Sequence, residues 1–117
     1  MRKSVLLAIV LIAAGGIATE ARAQDGISFL RGDANLDLEV NLTDAVYILN
    51  FLFTGGRTPG CMKAADVDDT GSVDLTDAVY LLNYLFIGGA APAEPVACGL
   101  DPTGDNLSCE TVPEACE

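Results

Sequence analysis

The sequence predicts a small all-α fold, in which two loop–helix units pack antiparallel with pseudo-two-fold symmetry and a disulfide-bonded tail follows. Three observations predict it. Residues 33–56 (DANLDLEVNLTDAVYILNFLFTGG) and 66–89 (DVDDTGSVDLTDAVYLLNYLFIGG) share LTDAVY and N-x-L-F-x-G-G at an offset of 33 positions. A fixed period of this size means one supersecondary unit used twice. Each unit ends in an apolar run at helical spacing, and no stretch of useful length alternates as a strand would. The four cysteines, Cys61, Cys98, Cys109 and Cys116, are an even count, and three of them lie close to the C-terminus.

Residues 1–23 read as a secretory signal peptide, to be set aside before fold reasoning. Arg2 and Lys3 form a basic start, Val5 to Ile17 is almost wholly apolar, and Ala21-Arg22-Ala23 places cleavage after Ala23. A membrane anchor is the competing reading, but a span needs about 20 apolar residues. No second apolar stretch is long enough. The chain carries 17 acidic and 6 basic residues, a net charge of −11. Three of the basic residues lie in the leader, so the exported part, with Arg31, Arg57 and Lys63 alone, is more acidic still. Such a surface repels nucleic acid and anionic lipid and attracts cations. With no histidine and no basic patch, nucleic-acid binding has no support. Acidity alone would suit a disordered chain, but the two apolar helical segments argue against that.

The remainder divides into a module over 24–90 and a tail over 91–117. Residues 24–32 are a lead-in with Ile27, Phe29 and Leu30 available to pack. The first loop is Asp33–Asp44, and its helix runs from about Thr43 to Phe53. Gly55-Gly56 and Pro59 stop it. The second loop is Asp66–Asp77, with a helix from about Thr76 to Phe86 ended by Gly88-Gly89. No amphipathic helix is evident before either loop. Ala45, Val46, Ile48, Leu49, Leu52 and Phe53 recur at spacings of three and four, as do Ala78, Val79, Leu81, Leu82, Leu85 and Phe86, and each set is expected to form a wide buried stripe. Helices this short are not stable alone in water. Bound metal and disulfides are the usual supports at this size.

The loops are chemically readable. Oxygen-bearing side chains fall at positions 1, 3, 5, 9 and 12, the spacing of an EF-hand calcium loop. In the first loop these are Asp33, Asn35, Asp37, Asn41 and Asp44, with Glu39 giving its backbone carbonyl from position 7. In the second they are Asp66, Asp68, Thr70, Asp74 and Asp77, with Ser72 giving the carbonyl. The cofactor expected is therefore Ca2+, two ions. Magnesium demands tighter geometry and prefers to keep its waters. Leu38 stands at position 6, where glycine is usual, and a bulky residue with positive φ costs roughly 1–2 kcal/mol. Thr70 stands where a carboxylate is usual, and Asp68 and Asp74 restore charge in place of asparagines.

The cysteines, in a chain bearing an export signal, read as disulfides with three possible pairings. A zinc site would want close C-x2-C pairs or histidines, and neither is present.

Aspartate at position 12, doubled D-x-[ND]-x-[DT]-x3-[ND]-x2-D and an apolar helix after each loop resemble the type I dockerin module, over about residues 31–90. The Ala-Val-Tyr and L-F-x-G-G endings look like the dockerin-like repeats of secreted planctomycete-type proteins. The resemblance implies two loop–helix units (F-hands), calcium-dependent folding and docking onto a cohesin partner, in assemblies that degrade polysaccharides. It also implies that loop positions 10 and 11 and an outer helix stripe touch the partner. Carried onto this sequence, these are Leu42, Thr43, Tyr47 and Asn50, and again Leu75, Thr76, Tyr80 and Asn83. The competing reading of Tyr47 and Tyr80 is that they cover the core. The chain departs from the family pattern at Leu38, at Thr70, in having leucine where serine-threonine pairs are common, and in its cysteine-rich tail.

Several motifs carry less. Arg31-Gly32-Asp33 spells an adhesion tripeptide, but Asp33 is committed as a ligand. Asn41-Leu42-Thr43 and Asn106-Leu107-Ser108 fit the glycosylation pattern, and a glycan on Asn41 would conflict with the loop. Paired carboxylates suit a glycosidase, but so small a core leaves no cleft, and the acids are better explained as ligands. The expectation is thus a secreted, non-enzymatic calcium module of the extracellular space or cell envelope that binds a protein partner. The alternative is a calcium- and disulfide-stabilised structural protein of the envelope or matrix with no cohesin partner.

Overall fold

The computed structural model describes residues 26–116; the expected leader and its cleavage site lie outside them. Three helices follow one another, α1 (Leu42–Phe53), α2 (Met62–Ala65) and α3 (Leu75–Ile87), with a single 3₁₀ turn at Glu114–Cys116. No strand forms among the described residues; β pairing is confined to two isolated antiparallel bridges, Phe29 with Gly99 and Cys61 with Cys109.

Both long helices start one residue before the apolar run suggests, because the residue at loop position 9 is their cap. Asn41 and Asp74 are extended, at φ −152° and −147°, and accept the amides of Thr43 and Thr76 at 3.0 and 3.1 Å. Asp44 and Asp77 answer by accepting the amides of Asn41 and Asp74 at 2.9 and 2.8 Å, which completes a capping box in each repeat. Gly88 closes α3 in the left-handed conformation, at φ 74°.

The short α2, a single turn before the second loop, adds to the expectation that no amphipathic helix precedes either loop. Met62, Lys63, Ala64 and Ala65 are all good helix formers, and the Asp66 amide donates to the Met62 carbonyl at 3.1 Å. One turn is too short for periodicity to reveal.

Equivalent positions of the two repeats fill the main core. Ala45 and Ile48 of α1 meet Ala78 and Leu81 of α3, with Ala34, Ala65 and Val67 beside them. This matched burial is what the repeat predicts. A second, smaller core gathers Phe29, Cys61, Ala64 and Cys109, with Ile27, Leu36 and Val112 packed against it. The tail is therefore part of the packed body. Phe29 and Gly99 exchange backbone hydrogen bonds of 2.9 and 3.0 Å, and the Met62 and Glu110 amides reach Ser108 and Gly60 at 2.8 and 2.9 Å. The disulfides are Cys61–Cys109 and Cys98–Cys116, so all four cysteines are paired.

Candidate metal centre

Each loop is folded around two buried aspartates, at positions 1 and 12. Asp33 accepts the amides of Asp37 and Leu38 at 3.0 and 2.9 Å, and Asp66 accepts those of Thr70 and Gly71 at 3.1 and 2.9 Å. Asp44 and Asp77, besides capping their helices, each take an amide from position 3, Asn35 and Asp68, at 3.2 Å. Position 12 thus ties the loop's start to the helix it precedes. All four carboxylates are fully buried.

The chain turns sharply enough to do this by visiting the left-handed region twice per loop. Leu36 and Asp69 at position 4 have φ of 60° and 56°, and Leu38 and Gly71 at position 6 have 71° and 93°. Leu38 takes the conformation expected of glycine despite its side chain, and it remains exposed.

Three of the predicted ligands of each loop converge. One oxygen from each of Asp33, Asp37 and Asp44 lies within 4.8 Å of the others, and the same holds for Asp66, Asp68 and Asp77. Asn35 Oδ1 and Asp68 Oδ1, at position 3 of the two loops, are buried and have no hydrogen-bond partner. A buried acceptor without a donor is costly, and a hard cation coordinated by oxygen would satisfy it. The residues present therefore fit a divalent cation. Thr70 Oγ1 stands 3.5 Å from Asp66 Oδ1 and 3.4 Å from the Ser72 carbonyl. Asn41 and Asp74 are occupied as helix caps, consistent with position 9 reaching an ion through water. Glu39 accepts from Asn41 Nδ2 at 3.3 Å with its side chain.

Electrostatics say the same. Burial pushes the Asp44 carboxyl up to about 7 and that of Asp77 up to about 8. It raises Asp33 and Asp66 as well, although backbone amides oppose the rise. Carboxyls packed this closely hold protons in the absence of a cation and release them to one.

A charged cluster beside the second loop was not legible in the sequence. Arg31 and Lys63 are completely buried. Arg31 donates to the carbonyls of Glu94, Lys63 and Asp66, and pairs with Asp101 at 2.9 Å. Its guanidinium also lies 5.2 Å from the centre of the Phe29 ring. Lys63 Nζ bridges Asp101 and Asp105 at 3.2 and 2.8 Å. Burial opposes the charge on Lys63, but Asp105 and Asp101 outweigh it and raise its pKa. Burial likewise disfavours the charged form of Asp101, but the Thr103 amide and Lys63 hold its carboxyl below the usual range. The one available hint was compositional, that so acidic a segment keeps only three cations. The same burial removes Arg31-Gly32-Asp33 from any receptor's reach.

Of the residues expected on a partner face, Leu42, Thr43, Asn50, Leu75, Thr76 and Asn83 are exposed. Tyr47 and Tyr80 are half-buried and pack against the main core, and the Tyr80 hydroxyl donates to the Ala91 carbonyl at 2.8 Å.

Two loops, each leading into a long helix and each gathering acidic side chains, define a class of repeated loop–helix modules fit for divalent cations, and comparison with known proteins narrows it. The model of the dockerin type I domain matches residues 31–86, and the chain belongs to the type I dockerin family. Among solved structures it is similar to the ScaB dockerin of Acetivibrio cellulolyticus, solved with the third cohesin of ScaC and displaying a type I interaction. Identity is 30%, the TM-score is 0.50, and the match covers 55% of this chain and 92% of the other. A comparison with curated proteins finds no match.

Proposed function

We propose that the chain is a secreted, non-catalytic docking module that binds two calcium ions and holds a protein partner of the cohesin class. The observation that carries the docking is an apolar stripe exposed twice. On α1, Leu42, Val46 and Phe53 are 48, 44 and 65% exposed; on α3, the equivalent Leu75, Val79 and Phe86 are 49, 44 and 63% exposed. Spacings of four and seven put each trio on one side of its helix. Exposed apolar surface gathered on one side of a helix is the kind that marks interaction sites. Thr43, Asn50, Thr76 and Asn83 border it with polar groups, while Tyr47 and Tyr80 pack against the core.

Calcium at each loop would be held by Asp33, Asn35, Asp37, Glu39, Asn41 and Asp44, and by Asp66, Asp68, Thr70, Ser72, Asp74 and Asp77. The bare position-3 oxygens and family membership support this. Neutralising these acids lets the loops hold the helix starts, and with them both stripes, in fixed positions. The leader motif and the two disulfides support export. An extracellular assembly that degrades polysaccharides is the setting the family suggests. The second reading, a structural envelope or matrix protein, rests on the two disulfides, of which Cys61–Cys109 joins the tail to the module and Cys98–Cys116 closes the tail on itself.

The test is capture. Immobilised protein is exposed to a type I cohesin and to the secreted fraction of the producing cells, in calcium and then in chelator. Release of a cohesin-like partner by chelator is the expected result. Self-association alone would favour the structural reading and sink the docking one.

A further inference from the structure

The tail grips both loops at position 4, but by different chemistry. Leu36 packs on the small core that Cys109 completes. Asp69 is held by polar groups: Thr103 Oγ1 donates to its Oδ2 at 2.7 Å, and Arg31 Nη1 stands 3.5 Å from its Oδ1. That same Nη1 donates to the Asp66 carbonyl, at position 1, at 3.1 Å. Asp101 joins the two holders, since its Oδ1 accepts Arg31 Nη2 at 2.9 Å and the Thr103 amide at 3.1 Å.

We infer that the Asp101–Thr103 turn of the tail is a latch that prepares the second loop for its cation, with Thr103 and Arg31 as positioning residues. The inference rests on the calcium reading above. A loop that must order as it binds loses part of the binding energy to conformational entropy, and a loop already held at positions 1 and 4 loses less. Groups that orient ligands without touching the ion commonly change metal affinity by about 10–100-fold. A guanidinium beside a cation site would ordinarily repel the ion. Here Asp69, Asp101 and Asp105 outnumber Arg31 and Lys63 and offset their positive charge in part. The first loop has no equivalent polar hold, because its position 4 is Leu36.

Backbone amides at position 6 report each loop separately, since Leu38 N–H donates to Asp33 and Gly71 N–H to Asp66. Calcium is titrated into the full disulfide-bonded protein while both amide resonances are followed by NMR. In Thr103→Val the Gly71 midpoint should move to roughly fivefold higher calcium, the scale of one lost hydrogen bond. The Leu38 midpoint should stay in place. Thr103→Ser, which keeps the hydroxyl, should restore the wild-type midpoint. Equal displacement of both midpoints, or of neither, overturns the latch while leaving calcium binding intact. Amides that ignore calcium in the wild type overturn the calcium reading, and the latch with it.

Discussion

Leu38 and Gly71 occupy the same left-handed position of the two loops, at φ 71° and 93°. Glycine adopts this region freely, whereas a leucine there costs roughly 1–2 kcal/mol. Leu38 is exposed, so little packing offsets the strain. Leu38→Gly is expected to stabilise the protein by about 1 kcal/mol, after allowing for glycine's greater freedom in the unfolded chain. It should also tighten the first calcium site. Thermal melts and calorimetry check both; a lower melting temperature would refute the strain argument.

Calcium should stabilise the fold strongly. Binding to the folded state alone adds about 2.7 kcal/mol per site at a hundredfold excess over Kd. Chelator should therefore lower both helicity and melting temperature, and circular dichroism that is indifferent to chelator would contradict the expectation. Asp44→Ala and Asp77→Ala should each abolish one site in titration calorimetry. Each should also weaken its helix start, because the same carboxylate completes the capping box.

Acid should favour the metal-free fold. Asp44 and Asp77 are raised by burial to about 7 and about 8, above the 3.8 of the free side chain. The folded state therefore binds more protons than the unfolded one between these limits. Stability from these groups is fully present below about pH 4 and is lost as pH rises through 7 to 8. In chelator the melting temperature should fall between pH 5 and pH 8.5, a window where Asp101, with its lowered pKa, is already ionised. Calcium displaces the protons and should remove the decline. A chelated protein that gains stability over this window would show the sign to be wrong.

The two disulfides should differ in worth. Cys61–Cys109 spans 48 positions and Cys98–Cys116 spans 18. In the chain-entropy account these correspond to about 4 and about 3 kcal/mol. Replacing Cys61 and Cys109 by alanine should cost more than replacing Cys98 and Cys116, the more so because the first pair sits inside the smaller core. Intact mass before and after reduction should differ by two disulfides. Free thiols in exported material would overturn the assignment.

The partner surface should be duplicated. Leu42 and Leu75 are the first residues of α1 and α3, where aspartate is tolerated and even favoured by the helix dipole. Leu42→Asp or Leu75→Asp should therefore leave the fold intact. Each alone should weaken partner binding little, since the other stripe remains after a half-turn of the module. The double substitution should weaken it more than tenfold beyond the sum of the single effects, a departure that a double-mutant cycle reads. Loss of all binding in one single mutant would show the faces to be inequivalent.

By itself the sequence determined the repeat, the spacing of the candidate ligands, the loop–helix order and the presence of disulfides. These are local properties: ligand spacing within twelve residues, a capping residue before an apolar run, glycine after it. Tertiary structure decided the rest. Cys61 with Cys109, Arg31 against Asp101, and Lys63 against Asp105 join residues more than forty positions apart, and no local pattern encodes such distances. The exposed helix stripe corrects the sequence reading, which places Val46, Phe53, Val79 and Phe86 in the buried stripe; apolar residues surround α1 and α3 on most sides, and periodicity cannot say which side stays bare. The sequence leaves two readings of Tyr47 and Tyr80 open, an outer stripe implied by the family resemblance and a cover over the core. In the fold their rings reach the core, and the Tyr80 hydroxyl finds the Ala91 carbonyl in the tail, so burial of the ring leaves that polar tip satisfied.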